Sequence, residues 1–184
     1  MIIALSGKIN SGKTTVSDIF KEHNFIIDSF AKSVKDICCI IFGYDREKIE
    51  GNNKEDRLWR ETIDINISKL LGYSFTPRDA MIKVGTDFGR NMIHPNIWIE
   101  SLFNRYNNQS NILITDLRFV NEYNEIKKKG GIVIRINRPN TSNNHNNHTS
   151  ECELDNYIFD YIIDNNGTIE ELKEKVINII KNLI

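Results

Sequence analysis

The chain has 184 residues, 40% hydrophobic and 27% charged, with a formal net charge of -1. This predicts a single domain, residues 1–184, large enough to bury a substantial core. It offers no basic footprint for a polymeric nucleic acid and no apolar run near the about 18–20 residues that a membrane span needs. Met1 leads straight into an apolar run, which leaves no room for a signal peptide. Cys38, Cys39 and Cys152 have no metal-ligand spacing, and the adjacent pair lies in an apolar helical run, so they read as core thiols of an intracellular protein.

Ile2–Leu5 reads as a first strand. It runs into Gly7-Lys8-Ile9-Asn10-Ser11-Gly12-Lys13-Thr14, a match to G-x-x-x-x-G-K-[ST]. A helix follows from Lys13 to about His23, with Val16, Ile19 and Phe20 on its apolar face. Strand, glycine loop and helix are the context this phosphate-binding motif needs. The glycines let the backbone curl so that N–H groups and the helix N-terminus face phosphate oxygens. Gly7, Asn10, Ser11, Gly12, Lys13, Thr14 and Thr15 form the predicted ATP site. Lys13 would reach the β- and γ-phosphates and Thr14 would hold Mg²⁺.

Phe25–Asp28 is a short second strand, and a helix runs from Ala31 to Phe42, stopped by Gly43. Asp45–Asn53 is polar and reads as a loop. Glu55–Leu71 reads as one helix with Leu58, Ile63, Ile67, Leu70 and Leu71 as its apolar residues. Thr76-Pro77-Arg78-Asp79 is a helix start: Thr76 caps, Pro77 suits the first turn, and Asp79 complements the helix dipole. A further helix spans about Pro95 to Tyr106. Asn111–Thr115 is a buried strand ending at Asp116. A helix from Val120 to about Lys129 and a strand Ile132–Ile136 come next. The polar, asparagine-rich segment 139–150 reads as a mobile lid. Tyr161–Asp164 is the last strand. Thr168-Ile169-Glu170-Glu171 is a capping box for a final helix whose face is Ile169, Leu172, Val176, Ile179 and Leu183.

Short apolar strands alternating with helices predict an α/β fold, a three-layer P-loop NTPase architecture with a mostly parallel sheet flanked by helices. Ligands then bind beyond the carboxyl ends of the strands. The phosphate loop, Asp28-Ser29-Phe30 and Asp116-Leu117-Arg118 all fall there. Asp116 suits a place near Mg²⁺, directly or through water, or a turn cap. Arg118 suits a phosphate, or an ion pair with Glu122. Arg138 could swing over a bound triphosphate, or remain a solvated loop arginine. Gly85-Thr86 inside a helix invites close approach by packing or ligand. Trp98 is either core or a wall for a flat base. His145 and His148 read as polar loop residues.

Lys83-Val84-Gly85-Thr86-Asp87-Phe88-Gly89-Arg90-Asn91 with Trp98, Thr115–Glu122, Gly131–Ile136 with Arg138-Pro139, His148–Glu151 and Asp164–Thr168, in this order, resemble the deoxynucleoside monophosphate kinases of phages and large viruses. The resemblance covers nearly the whole chain and is weakest between Gly43 and Phe75. It implies transfer of the γ-phosphoryl of ATP to a deoxynucleoside monophosphate, with Mg²⁺, in the cytoplasm, the host's if the source is viral. It implies catalytic roles for Lys13, Arg118 and Arg138. It implies a helical monophosphate-binding region at about 43–107 and a pocket of Phe30, Asp36, Arg57, Gly85, Thr86, Arg90, Trp98, Asp116, Arg118 and Glu122. Ile9 and Asn10 stand where some members carry a second basic residue. Base preference and oligomeric state, a homodimer included, are left open. The rival readings are a P-loop kinase for another phosphorylated metabolite, of the phosphomevalonate or dephospho-coenzyme A type, and a nucleotide-dependent switch. The switch would need an Asn-Lys-x-Asp motif, and Asn137-Arg138-Pro139 stands after the fourth strand instead.

Overall fold

A computed structural model describes residues 1–106, 110–139 and 153–183. In chain order the elements are β1 (Ile2–Ser6), α1 (Lys13–Glu22), β2 (Ile26–Asp28), α2 (Ala31–Phe42), α3 (Arg46–Glu50), α4 (Lys54–Trp59), α5 (Ile65–Leu71) and α6 (Pro77–Ile82). A π-helix (Lys83–Ile93), α7 (Ile97–Phe103), β3 (Ile112–Ile114), α8 (Val120–Lys128), β4 (Ile132–Asn137), β5 (Tyr161–Asp164) and α9 (Ile169–Leu183) complete them. The chain divides into two compact units: Met1–Ser29 with Phe103–Ile184, and Phe30–Leu102.

The first unit is built on a 5-stranded sheet in the order β2-β3-β1-β4-β5. All neighbouring strands run parallel, as the alternation of strands and helices predicts. The period-2 alternation of strand side chains sorts the two faces. Ile3, Leu5, Leu113, Ile134, Ile136 and Ile163 share one buried cluster with Val16, Ile19 and Phe20 of α1 and Leu172, Val176, Ile179 and Ile180 of α9. Ala4, Val133 and Arg135 alternate with the β1 and β4 members of that cluster, and α8 packs against β4. The capping box of α9 forms: Thr168 N–H donates to Glu171 Oε2 at 2.8 Å, and Glu171 N–H to Thr168 Oγ1 at 3.2 Å. Ile169 lies outside the buried face, 59% exposed.

In the second unit α2 ends as predicted, at Gly43 with φ 69. The loop expected at Asp45–Asn53 instead contains α3. Asp45 Oδ1 accepts from the N–H groups of Glu47 and Lys48, Gly51 closes the turn at φ 68, and Ile49 is fully buried. Two caps and one buried side chain suffice for a helix too short to show periodicity. The single helix expected over Glu55–Leu71 is two, α4 and α5. Asp64 breaks it: its N–H donates to Phe75 O at 2.8 Å, and its carboxylate accepts from Ile67 N–H and the Tyr44 hydroxyl. The expected apolar face fails with it, since Leu58, Ile63, Leu70 and Leu71 are exposed. The core of this unit comes from Phe30, Val34, Cys38, Ile49, Phe75, Ala80, Val84, Trp98, Ile99 and Leu102. Burial, with the neighbouring Cys39 adding to it, pushes the Cys38 thiol up to about 12, which suits a core thiol. Thr76 and Asp79 form their capping box at α6.

The carboxylate of Asp28, at the end of β2, is fully buried. It accepts from Ser29 N–H at 2.7 Å, from Arg105 Nε and Nη2 at 3.0 and 2.9 Å, and from the Tyr106 hydroxyl at 2.6 Å. Burial, then this hydrogen bond, push the Tyr106 phenol up to about 12, so it remains a donor. Removing one partner from such a cluster strands a buried charge. Asp28→Ala is therefore expected to lower the unfolding free energy by about 3 kcal/mol, the low end for a broken buried pair, as read from urea denaturation. A loss below about 1 kcal/mol, the range of exposed pairs, would show that the cluster does not anchor the sheet.

Candidate functional site

The segment from Gly7 to Gly12 joins β1 to α1. Ser11 N–H turns back to Lys8 O at 3.1 Å, and Asn10 (φ 64) and Gly12 (φ 107) are left-handed. Asparagine tolerates this conformation better than most residues and glycine adopts it freely. A Cβ on Gly7 would stand 2.6 Å from Ser11 Oγ and 2.7 Å from Ile136 O. Close packing of the loop against β4 therefore requires glycine there. The loop ends at the N-terminus of α1, where first-turn N–H groups and the positive end of the helix dipole favour an anion. Lys13 Nζ donates to Gly7 O at 2.5 Å and to Lys8 O at 2.9 Å, which lays the ammonium along the loop. Thr14 is exposed and Thr15 half-buried in the first turn of α1.

The ends of the other strands add to this. Arg138, just past β4, donates from Nη1 to Asn10 O at 3.3 Å. Asn165, just past β5, donates from Nδ2 to Ser11 O at 2.9 Å. Arg135 is buried within β4 and donates to Ser6 Oγ at 3.0 Å and to Asp155 Oδ1 at 2.5 Å. The sequence suggests for Arg138 a swing over a bound triphosphate or a solvated position, not this bond to a loop carbonyl. Nor does it suggest the contacts of Asn165, Arg135 and Asp155, because pairings over 129 and 154 residues leave no trace in local pattern. The only signal for Asn165 is its place in the stretch Asp164–Thr168.

Asp116 is half-buried past β3, and Arg118 is exposed. Glu122, considered from the sequence as a partner for the Arg118 side chain, bonds to backbone N–H groups. Its carboxylate is buried and accepts the N–H groups of Arg118 and Phe119 at 3.0 and 3.1 Å. That caps α8 and sets the backbone from which Arg118 projects. Thr14 and Asp116 supply hard oxygen donors of the kind Mg²⁺ prefers. Mg²⁺ usually completes its shell with substrate phosphates and water rather than with a protein cage. Among the described residues no group of three His, Cys, Asp or Glu side chains could hold a metal by itself. The residues present fit an ion that arrives with the nucleotide.

In the second unit, Trp98 is buried and its Nε1 donates to Gly85 O at 2.7 Å. A side chain on Gly89 would collide with the Trp98 ring, so Gly89 and the indole fit as a pair and secure the π-helix. Thr86 is exposed on that helix and Arg90 half-buried. Phe30, like Trp98, is core. Neither ring offers a broad exposed face. Asp36 is paired with Arg46 at 2.6 Å. Arg57 donates to Gly51 O and Asn52 O at 3.1 and 3.3 Å. Of the segment 139–150 expected to form a lid, residues 140–150, with His145 and His148, lie outside the described residues, as does Cys152.

The deoxynucleotide monophosphate kinase family matches residues 47–176. A protein of Acanthamoeba polyphaga mimivirus that carries the same kinase name is 32% identical over 198 residues, spanning 99% of this chain and 97% of its own length. Among solved structures, TT1252 from Thermus thermophilus is 13% identical with a TM-score of 0.48, covering 100% of this chain and 98% of that one. Dephospho-CoA kinase from Campylobacter jejuni is 16% identical with a TM-score of 0.43, covering 98% and 96%. At those values neither structural likeness bears on activity. The family match and the full-length viral relative, together with a complete phosphate loop in its strand–helix setting, establish that the chain belongs to the deoxynucleotide monophosphate kinase family.

Proposed function

We propose that the protein catalyses ATP + dNMP → ADP + dNDP, with the donor triphosphate held by Gly7, Asn10, Ser11, Gly12, Lys13, Thr14 and Thr15. The observation that carries this reading is the complete loop at the N-terminus of α1 in a chain of this family. An oxygen of the acceptor monophosphate attacks the γ-phosphorus, the bond from that phosphorus to the β–γ bridging oxygen breaks, and ADP leaves with the electron pair. The acceptor phosphate is already nucleophilic, so no general base is needed. The protein's work is positioning and charge neutralisation. Lys13 neutralises charge on the donor phosphates. Arg118, exposed past β3, grips the acceptor phosphate, and Arg138 steadies the loop and the transferring group. Thr14 and Asp116 would hold Mg²⁺, which supplies Lewis-acid neutralisation of phosphate charge.

Gly85, Thr86 and Arg90 are the proposed acceptor contacts on the π-helix, a helix type frequent at functional sites. Trp98, being buried and bonded to Gly85 O, supports the π-helix contacts rather than lining a broad wall, and Glu122 acts by fixing the backbone at Arg118. Phe30, Asp36 and Arg57 contribute by shaping the same unit, given their packing and partners. The reaction belongs in the cytoplasm, the host's if the chain is viral, where ATP and monophosphates are at hand.

The test is a panel of matched ribo- and deoxynucleoside monophosphates with Mg-ATP, read as ADP release. Deoxynucleotides should be used at least as well as ribonucleotides, and Lys13→Ala should abolish transfer without unfolding the protein. A clear ribonucleotide preference, or near-normal turnover by folded Lys13→Ala, would defeat the proposal. Arg118→Ala should raise the KM for monophosphate about tenfold to hundredfold, because a hydrogen bond to a charged group contributes about 1.5–3 kcal/mol, with ATP affinity little changed. Equal losses toward both nucleotides would assign Arg118 to the donor side or to the fold.

A further inference from the structure

The phosphate loop binds through backbone N–H groups, so its affinity depends on which way each peptide plane faces. A trans peptide points its C=O and N–H in opposite directions. The Ser11–Gly12 peptide is the vulnerable one. Gly12 sits at φ 107, and a glycine carries no Cβ to resist rotation of the plane beside it. A flipped plane would turn the Gly12 N–H away from the anion and aim the Ser11 carbonyl oxygen at it.

Asn165 opposes that flip. Its Nδ2 donates to Ser11 O at 2.9 Å in a buried contact, and its own backbone N–H is fixed to Asn137 O at 2.7 Å. The side chain occupies the space that a Cβ on Gly12 would need, with Nδ2 2.5 Å from that position. Gly12 and Asn165 are therefore a fitted pair: the glycine makes room for the amide, and the amide holds the plane that the glycine leaves loose. Only an N–H donor can face a carbonyl oxygen, so the orientation of the carboxamide is determined. We infer that Asn165 is a positioning residue for the donor site, acting through the Ser11 carbonyl to aim the Gly12 N–H at the triphosphate. The inference rests on the reading of this loop as the ATP site. It does not depend on which monophosphate is the acceptor.

The experiment measures binding of Mg·AMP-PNP and of a deoxynucleoside monophosphate separately, by calorimetry, with the thermal midpoint of each ligand-free variant. Asn165→Leu keeps the volume and removes the donor. Asn165→Asp keeps the shape and sets an acceptor against the Ser11 carbonyl. Asn165→Leu should weaken Mg·AMP-PNP about tenfold, the order expected when a buried carbonyl loses its donor, and Asn165→Asp more. Monophosphate affinity should stay within about twofold. Unchanged Mg·AMP-PNP binding in a folded variant would overturn the inference. So would equal losses for both ligands with a lower midpoint in Asn165→Leu and Asn165→Asp alike, which would mark Asn165 as a fold residue. Failure of the wild-type protein to bind Mg·AMP-PNP would instead overturn the reading of the loop.

Discussion

The residues proposed for phosphate chemistry stand at the carboxyl ends of strands because β1 pairs in parallel with both β3 and β4. Parallel pairing puts all carboxyl ends on one edge, so the loop after Ser6, the acid after Ile114, the arginine after Asn137 and the asparagine after Asp164 emerge together. The direction of connection reverses at β1: β2 and β3 lie to one side of it, β4 and β5 to the other. At such a switch point the flanking connections splay apart and leave a crevice. The phosphate loop begins there.

This arrangement needs support, because the loop is made of glycine and polar residues with one exposed isoleucine, Ile9, and has little packing of its own. The support comes from neighbours across the sheet. Arg135 ties the end of β4 to Ser6, the residue before the loop, and to Asp155. Arg138 and Asn165 hold two successive loop carbonyls, those of Asn10 and Ser11. Asp28 does comparable work at the end of β2, where one buried carboxylate collects the donors of Arg105, Tyr106 and Ser29. Buried polar groups of this kind stabilise only when their partners are complete.

The second unit follows a different logic. Besides α2 and the π-helix it holds several short helices that caps rather than long apolar stripes define: Asp45 for α3, Asn53 for α4, Asp64 for α5 and Thr76 for α6. Ion pairs join some of its segments, as Lys35 does with Glu50 and Arg46 with Asp36. Burial alone would push the Glu50 carboxyl up, but hydrogen bonds and charge from Lys35 and Arg46 outweigh it and hold the group below its usual range. The family match separates this chain from the rival readings of a switch protein or a kinase for another metabolite, since the phosphate loop itself is common to all of them.

The amino-acid order alone determined the phosphate loop, the strand and helix on either side of it, and the parallel α/β class. Those are local matters: a motif of eight positions, Gly7 to Thr14, an apolar run and a helical period are all read within one segment. The same holds for the helix ends at Gly43 and Thr76, where one residue's conformation or cap decides the outcome. Tertiary structure decided the rest. Asp64 splits a plausible long helix because it meets Phe75 and Tyr44. The π-helix pairs with Trp98 through a hydrogen bond spanning 13 residues, and no period in the sequence announces it. Glu122 caps its helix, and Asp36 and Arg57 hold protein partners, although their residue types suited a ligand equally well. A side chain's type limits what it can bind, but which partner it takes depends on what the fold places within hydrogen-bond reach.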